Sequence, residues 1–159
     1  MYARDAAVFA TPIGAVRVEG DEDVVTSIRL GPPDFTPARA GAAAVRAARE
    51  QIEQWFAGER TGFALPLAPA RTPRGAALRD GIAAIGYGET ASYGALAKAL
   101  GSSPRAVGQA CARNPFPLVI PCHRVLAAQG ALGAYSAGDG PATKQWLLDH
   151  EHRQRERLP

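Results

Sequence analysis

Long apolar stretches are missing from this 159-residue chain. No run of about eighteen hydrophobic residues occurs, so a membrane-spanning helix is not expected. The opening Met1-Tyr2-Ala3-Arg4-Asp5 brings polar and charged groups where a secretory leader has its apolar segment, and a cytoplasmic location is the expectation. Cysteine is scarce as well. The two present, Cys111 and Cys122, form neither a CxxC pair nor a four-ligand set; structural zinc is not expected, and free thiols are expected in preference to a disulfide. A large excess of one charge is also lacking, the formal net charge being +3. Its distribution is uneven. Residues 1–70 hold seven arginines against nine acids, whereas residues 71–159 hold eleven Lys or Arg against six acids. Only the second part looks drawn to a polyanion, although an ordinary arginine-rich surface reads the same way.

The hydrophobic content of 47% suits one compact domain or two small ones sharing an interface. Short apolar stretches from Val8 to Leu30, broken by the acidic turn Glu19-Gly20-Asp21-Glu22-Asp23, predict a small antiparallel sheet or hairpin. A Gly/Pro loop follows from Gly31 to Pro37. A helix is predicted from about Ala38 to Phe56, with Val45, Ile52 and Phe56 at helical spacing and Gly58 closing it. Phe63 to Pro73 carries three prolines and reads as an extended linker, so a boundary falls near residue 70.

Beyond it, a helix is predicted from Gly75 to Ile85, stopping at Gly86-Tyr87-Gly88. Thr90 or Ser92 can cap the next, Tyr93 to Leu100, with Leu96, Ala97 and Leu100 inside. After the turn Gly101-Ser102, Ser103 as N-cap and Pro104 at the first position start a helix running to about Ala112. Two short helices joined this way are a helix-turn-helix, whose second helix commonly addresses DNA. Arg105 sits at the second helical position, where a cation opposes the helix dipole; a phosphate or a base stack nearby would explain it, as would plain exposure to solvent. Ala106, Gly108, Ala110 and Ala112 leave the helix little bulk, which permits close approach to a groove or to another helix.

Asn114-Pro115-Phe116-Pro117 cannot continue that helix. The apolar Leu118-Val119-Ile120 then leads into Pro121-Cys122-His123-Arg124-Val125. A cysteine anchored by a buried stretch and followed by His and Arg has a fixed backbone and a nearby base, which is what a nucleophilic thiol needs. His123 can act through a water, and it wants an acid on its other nitrogen; Glu151, on a helix beginning near Thr143 that buries Trp146 and Leu147, is the best candidate, with Asp149 as rival. The small-residue loop Gly130–Gly138 reads as a flexible surface loop or as the wall of a pocket for a planar ligand such as a flipped base.

The ordered set Tyr87-Gly88-Glu89-Thr90, Ser92-Tyr93-Gly94, Arg105-Ala106-Val107-Gly108, Asn114-Pro115-Phe116-Pro117, Ile120 to Val125, Tyr135-Ser136, Lys144, Leu147-Leu148 and Glu151 closely resembles the methylated-DNA-protein cysteine methyltransferases, also called 6-O-alkylguanine-DNA alkyltransferases. It covers nearly all of residues 86–151, while residues 1–70 match mainly through Thr11-Pro12-Ile13-Gly14. The resemblance implies an α/β two-part protein: an N-terminal supporting domain, 1–70, with a small antiparallel sheet and a helix, and a mostly helical, winged-helix-like domain, 71–159, with the helix-turn-helix and acceptor cysteine. It implies that Cys122 attacks the alkyl carbon on guanine O6, and probes of 4-O-alkylthymine should react too. His123, oriented by Glu151, would remove the thiol proton through water; Tyr93 would assist departure of guanine near N3; Asn114 would brace the active-site turn. Arg105 would fill the space of the extruded nucleotide, with Ser92, Ser103, Ala106 and Gly108 along the minor groove of double-stranded DNA. Pro117, Val125, Tyr135 and Ser136 would line the base pocket, with carbonyls near Cys122 and Val125 receiving the exocyclic amine. No cofactor or metal is implied, and a monomer is expected. The chain departs from the family pattern at Arg74-Gly75 and Leu78-Arg79, where Phe-Gln and Val-Trp are common, at Gly86, a common proline position, and at Ala134, a common glycine position.

Two other functions fit parts of the pattern. Alkyltransferase-like proteins recognise alkylated bases without reacting, but they lack the acceptor cysteine. A cysteine hydrolase could use Cys122, His123 and Glu151 and would turn over, yet no oxyanion-hole arrangement is recognisable.

Overall fold

The computed structural model describes residues 4–31 and 36–157, in two compact units, one reaching Ala68 and the other beginning at Pro69. Of the predicted Gly31–Pro37 loop, residues 32–35 lie outside the described residues. In the first unit β1 (Asp5–Thr11), β2 (Gly14–Gly20) and β3 (Val25–Leu30) form an antiparallel sheet in the order β1-β2-β3. Alternation decides which face is inside. Val16 and Val18 of β2 and Val25, Ile28 and Leu30 of β3 are buried, while Arg17 and Arg29 sit opposite each other on the other face.

Helix α1 (Ala43–Phe56) covers the inner face with Ala44, Val45, Ala48, Ile52 and Trp55. Complete burial of a side chain such as Ile52 contributes about 1.5–3 kcal/mol relative to exposure. The inward stripe ends on Trp55, which is fully buried, and not on Phe56, which is half-buried and meets the Trp55 ring edge-on at 5.1 Å. The helix also starts later than predicted, because Ala38 exchanges backbone hydrogen bonds with Val8 at 2.9 and 3.1 Å as an extended bridge. Its N-terminus has no side-chain cap of its own. Instead Asp5 Oδ2 accepts from the Gly41 and Ala42 N–H groups at 2.8 and 3.0 Å, and Glu22 Oε2 from Ala43 at 2.9 Å, so the sheet supplies the anions that a helix start favours. The predicted linker is partly tied down: Val25 N–H donates to Pro66 O at 2.8 Å and Ala68 N–H to Val25 O at 2.9 Å, along the β3 edge.

The second unit opens with α2 (Pro73–Ala83), which starts ahead of the predicted Gly75 because Thr72 Oγ1 accepts from Gly75 N–H at 3.0 Å and Pro73 fits the first helical position. Then β4 (Ala91–Ser92) pairs in parallel with β5 (Val125–Leu126), Ala91 opposite Val125. This two-residue pairing ties the entry of the helix-turn-helix to the residue just past Cys122-His123-Arg124, which forms a 3-10 turn. Helix α3 (Tyr93–Ala99) is capped by Ser92, whose Oγ accepts from Ala95 N–H at 3.0 Å. Leu96 and Ala97 are buried, and Leu100, expected inside, is half-buried. The turn closes as a Schellman motif: Ser102 N–H donates to Ala97 O at 2.8 Å and Gly101 N–H to Lys98 O at 3.3 Å, with Gly101 at φ +63°. Helix α4 (Pro104–Ala112) is capped by Ser103 Oγ, which accepts from Ala106 N–H at 3.1 Å. Helix α5 (Pro141–Arg157) closes the unit. Among the described residues no helix is long and apolar enough to cross a membrane.

Candidate active site

The turn after α4 is built around Asn114. Its Oδ1 accepts from Phe116 N–H at 2.9 Å, while Nδ2 donates to Ile120 O at 2.9 Å and to Cys122 Sγ at 3.4 Å. One side chain thus holds both ends of the segment that presents the thiol. The segment itself is tightly wound. Leu118 has φ +78°, unusual for a branched residue, and Pro121 at φ −82°, ψ 64° forms an inverse γ-turn in which Cys122 N–H reaches Ile120 O at 2.8 Å. Pro117 and Phe116 are buried beneath, with the Arg79 guanidinium 5.2 Å from the Phe116 ring centre. That stacking gives Arg79 an apolar contact at a position where the family often carries Trp.

Cys122 is 4% exposed, and His123 and Glu151 are completely enclosed. His123 Nε2 lies 2.6 Å from Glu151 Oε2. The same carboxylate accepts from Arg124 Nε at 2.9 and 3.1 Å, from Arg124 Nη2 at 2.9 Å and from Gly88 N–H at 2.9 Å, and Arg124 Nη1 donates to Ile85 O at 2.7 Å. Burial alone would raise the Glu151 carboxyl; His123 and then Arg124 overcome it and bring it down to about 2. Burial lowers His123, with Glu151 opposing. Because Arg124 already neutralises Glu151, the consistent state is an ionised Glu151 and a neutral His123 donating from Nε2, which leaves Nδ1 as the basic atom of the ring. Asp149, the rival acid, is exposed and bonded to Gln145 at 2.9 Å.

Four neighbours complete the thiol's surroundings. Lys144 is fully buried, donating from Nζ to Val125 O at 2.7 Å and to Ala134 O at 3.2 Å. Nothing in the sequence marked this role beyond the match of Lys144 to the family pattern. Tyr93, half-buried, and Tyr135, whose buried hydroxyl has no partner among the described residues, both have their ionisation pushed up, by burial first and then by the two cysteines. Cys111 is the fourth. It lies close enough to Cys122 that the pair ionises as a unit: Cys111 and then burial raise Cys122 far above the ordinary thiol range, while Cys111 is lowered. Cys122 therefore rests as a thiol and needs a base when it reacts.

The loop between β5 and α5 is held by the start of α5. Lys144 takes the Ala134 carbonyl, and Thr143 Oγ1 accepts from Asp139 N–H at 2.9 Å. Ser136 is exposed on it, its Oγ 3.5 Å from Ala112 O at the end of α4. On α4 only Val107 is buried. Arg105 is exposed and makes no hydrogen bond or ion pair among the described residues, Ala106 is half-buried, and a Cβ at Gly108 would meet nothing within 4 Å. Arg105 and the Cβ direction of Gly108 thus face open space, while α4 packs on α3 and α2.

The family described as 6-O-methylguanine DNA methyltransferase, DNA binding domain, matches residues 76–153. The constitutive methylated-DNA–protein-cysteine methyltransferase of Bacillus subtilis is 36% identical over 157 residues, spanning 89% of this chain and 91% of its own. A DNA base-flipping protein of Thermus thermophilus is 40% identical over 89% of this chain and 95% of its own. The crystal structure of Mycobacterium tuberculosis OGT in complex with DNA aligns with a TM-score of 0.81 at 33% identity, covering 94% of this chain and 93% of that one. A sheet-and-helix unit followed by a helix-turn-helix unit enclosing a cysteine defines a DNA-binding alkyltransferase class. The chain belongs to the methylated-DNA–protein-cysteine methyltransferase family.

Proposed function

We propose that Cys122 takes the alkyl group from O6 of a guanine flipped out of duplex DNA, once per protein molecule. The observation that carries this reading is the confinement of the thiol: Asn114 fixes Sγ at 3.4 Å, and the adjoining His123 is locked on Glu151 at 2.6 Å. With Nε2 committed to Glu151, His123 Nδ1 takes the Cys122 proton through a water. Sulfur attacks the alkyl carbon, the carbon–O6 bond breaks, and its electron pair leaves with guanine. Tyr93, kept protonated by burial, supplies a proton near N3. Glu151, ionised by its pairing with Arg124, holds the imidazolium that forms. The product is a thioether, which has no carbonyl for water to attack, so the cysteine is not regenerated and no cofactor is called for.

The base would lie against Tyr135 and Pro117, its O6 region near Ser136 and its exocyclic amine on the carbonyls of Cys122 and Val125, the latter through the lone pair that Lys144 leaves open. The free Arg105 and the open face at Ala106 and Gly108 suit entry of α4 into the minor groove, with Ser92 and Ser103 at the two helix starts facing the backbone. Extrusion of a base costs a few kcal/mol, which groove packing, phosphate contacts and Arg105 insertion must supply. In this reading the first unit supports the second, the protein works as a monomer in the cytoplasm, and 4-O-alkylthymine is a secondary substrate. Intact mass and peptide mapping after incubation with 6-O-methylguanine duplex test it together. A single methyl on Cys122 is expected; tight binding with no change in mass would instead make the chain a recogniser that flips bases without reacting.

A further inference from the structure

We propose that Cys111 and Cys122 form a reversible oxidation site, in which a hydroperoxide converts the two thiols to an internal disulfide that closes the acceptor without destroying it. Both thiols are free in the structure. Asn114 is fastened to both cysteines: its backbone N–H donates to Cys111 O at 3.3 Å and its Nδ2 to Cys122 Sγ at 3.4 Å. The two thiols lie close enough to govern each other's ionisation, and Tyr93, Tyr135 and Lys144 lie close enough to feel both. The pair is also unequal. Cys122 is 4% exposed and Cys111, in the last turn of α4, is only half-buried, so a small oxidant meets Cys111 first. Cys111 is also the thiol whose ionisation is favoured, by the neighbouring Cys122 and, against its burial, by the Lys144 charge.

The chemistry balances in two steps. The Cys111 thiolate attacks the peroxide O–O bond, takes one oxygen as a sulfenic acid, and the other oxygen leaves as water after gaining a proton. Cys122 sulfur then displaces that hydroxyl: the S–S bond forms, the S–O bond breaks, and the Cys122 proton leaves with the second water. The two thiols lose two electrons and hydrogen peroxide is reduced to two waters. A dithiol reverses it. That the disulfide blocks repair rests on the proposed acceptor role of Cys122; its formation does not.

The test treats the full chain with hydrogen peroxide, blocks remaining thiols with iodoacetamide, and reads intact mass and peptide maps without reductant. Expected are loss of two hydrogens, no blocked cysteine, a Cys111–Cys122 cross-linked peptide, and methyl acceptance that falls to background and returns with dithiothreitol. In Cys111→Ser the cross-link should vanish and Cys122 should remain a free thiol or gain oxygen irreversibly. Two blocked thiols, oxygen added to either cysteine without the cross-link, or a cross-link only between molecules would overturn the proposal, and the map of the unmutated chain decides this even if the variant does not fold. A cross-link in a protein that never accepts methyl, oxidised or reduced, would sink the proposed function and leave this site standing.

Discussion

The first unit completely buries Val16, Val18, Val25, Ile52 and Trp55 and encloses no charged side chain among its described residues, whereas the second encloses His123, Arg124, Lys144 and Glu151. Taking such groups out of water is costly, and pairing them recovers the loss only when every donor and acceptor is met. In the second unit Glu151 meets four donor groups and Lys144 meets two carbonyls. Burial in the first unit packs apolar side chains against one another. In the second it also holds the Cys122 thiol on Asn114 and His123 on Glu151, which is how a preorganised site is supported.

The largest break in that contrast should come from Cys122→Ala, which removes the acceptor and no charge. Methyl transfer is expected to vanish while duplex binding, measured by fluorescence anisotropy, persists; transfer retained would move the acceptor to Cys111. Glu151→Gln should lower stability by about 3–5 kcal/mol, since it leaves Arg124 and His123 enclosed without their anion, and it should slow transfer as well. A denaturation curve matching the unmutated protein would contradict that. Ile52→Ala should cost about 2–5 kcal/mol through the cavity it opens, yet leave the transfer rate of the folded protein unchanged. Arg105→Ala should change stability by less than about 0.5 kcal/mol and slow repair of duplex by roughly tenfold, about 1.4 kcal/mol, with reaction of free 6-O-methylguanine unaltered. Equal losses on both substrates would remove Arg105 from base extrusion.

Acid should separate the units too. Glu151 has its carboxyl held down to about 2, so its contribution is present above the ordinary glutamate value and is lost as pH falls toward 2. His123, lowered by burial, is neutral when folded while the unfolded chain takes up a proton below its ordinary value, so its contribution also fades as pH falls. Trp55 reports on the first unit and Trp146 on the second. In single-tryptophan variants, Trp146 fluorescence should change at higher pH than that of Trp55; a shared midpoint would argue that the units unfold together.

Much of the scaffold was legible because local rules and tertiary structure agree there. Ser92, Ser103 and Pro104 mark helix starts by hydrogen-bond chemistry confined to a few residues, and Gly101 marks the turn by its positive φ. The first helix misled where partners lay far off in the chain. Val8 holds Ala38 extended, and Asp5 and Glu22 cap a helix whose own Ala42 cannot. The pairing of Ala91 with Val125 was invisible, since two residues carry no periodicity.

By itself the sequence determined the chemistry on offer: a Pro-Cys-His-Arg turn, a helix-turn-helix with an arginine at the second position of its second helix, and Asn114 and Glu151 in an order that matches one family. Only the tertiary structure decided the state of those groups. Whether His123 is neutral depends on its burial and on Arg124 reaching the same carboxylate, and whether Cys122 rests as a thiol depends on Cys111 beside it and on burial, with Asn114 and Lys144 opposing. Protonation is set by burial and by charges a few ångströms away, and both arise only when distant parts of the chain are packed together.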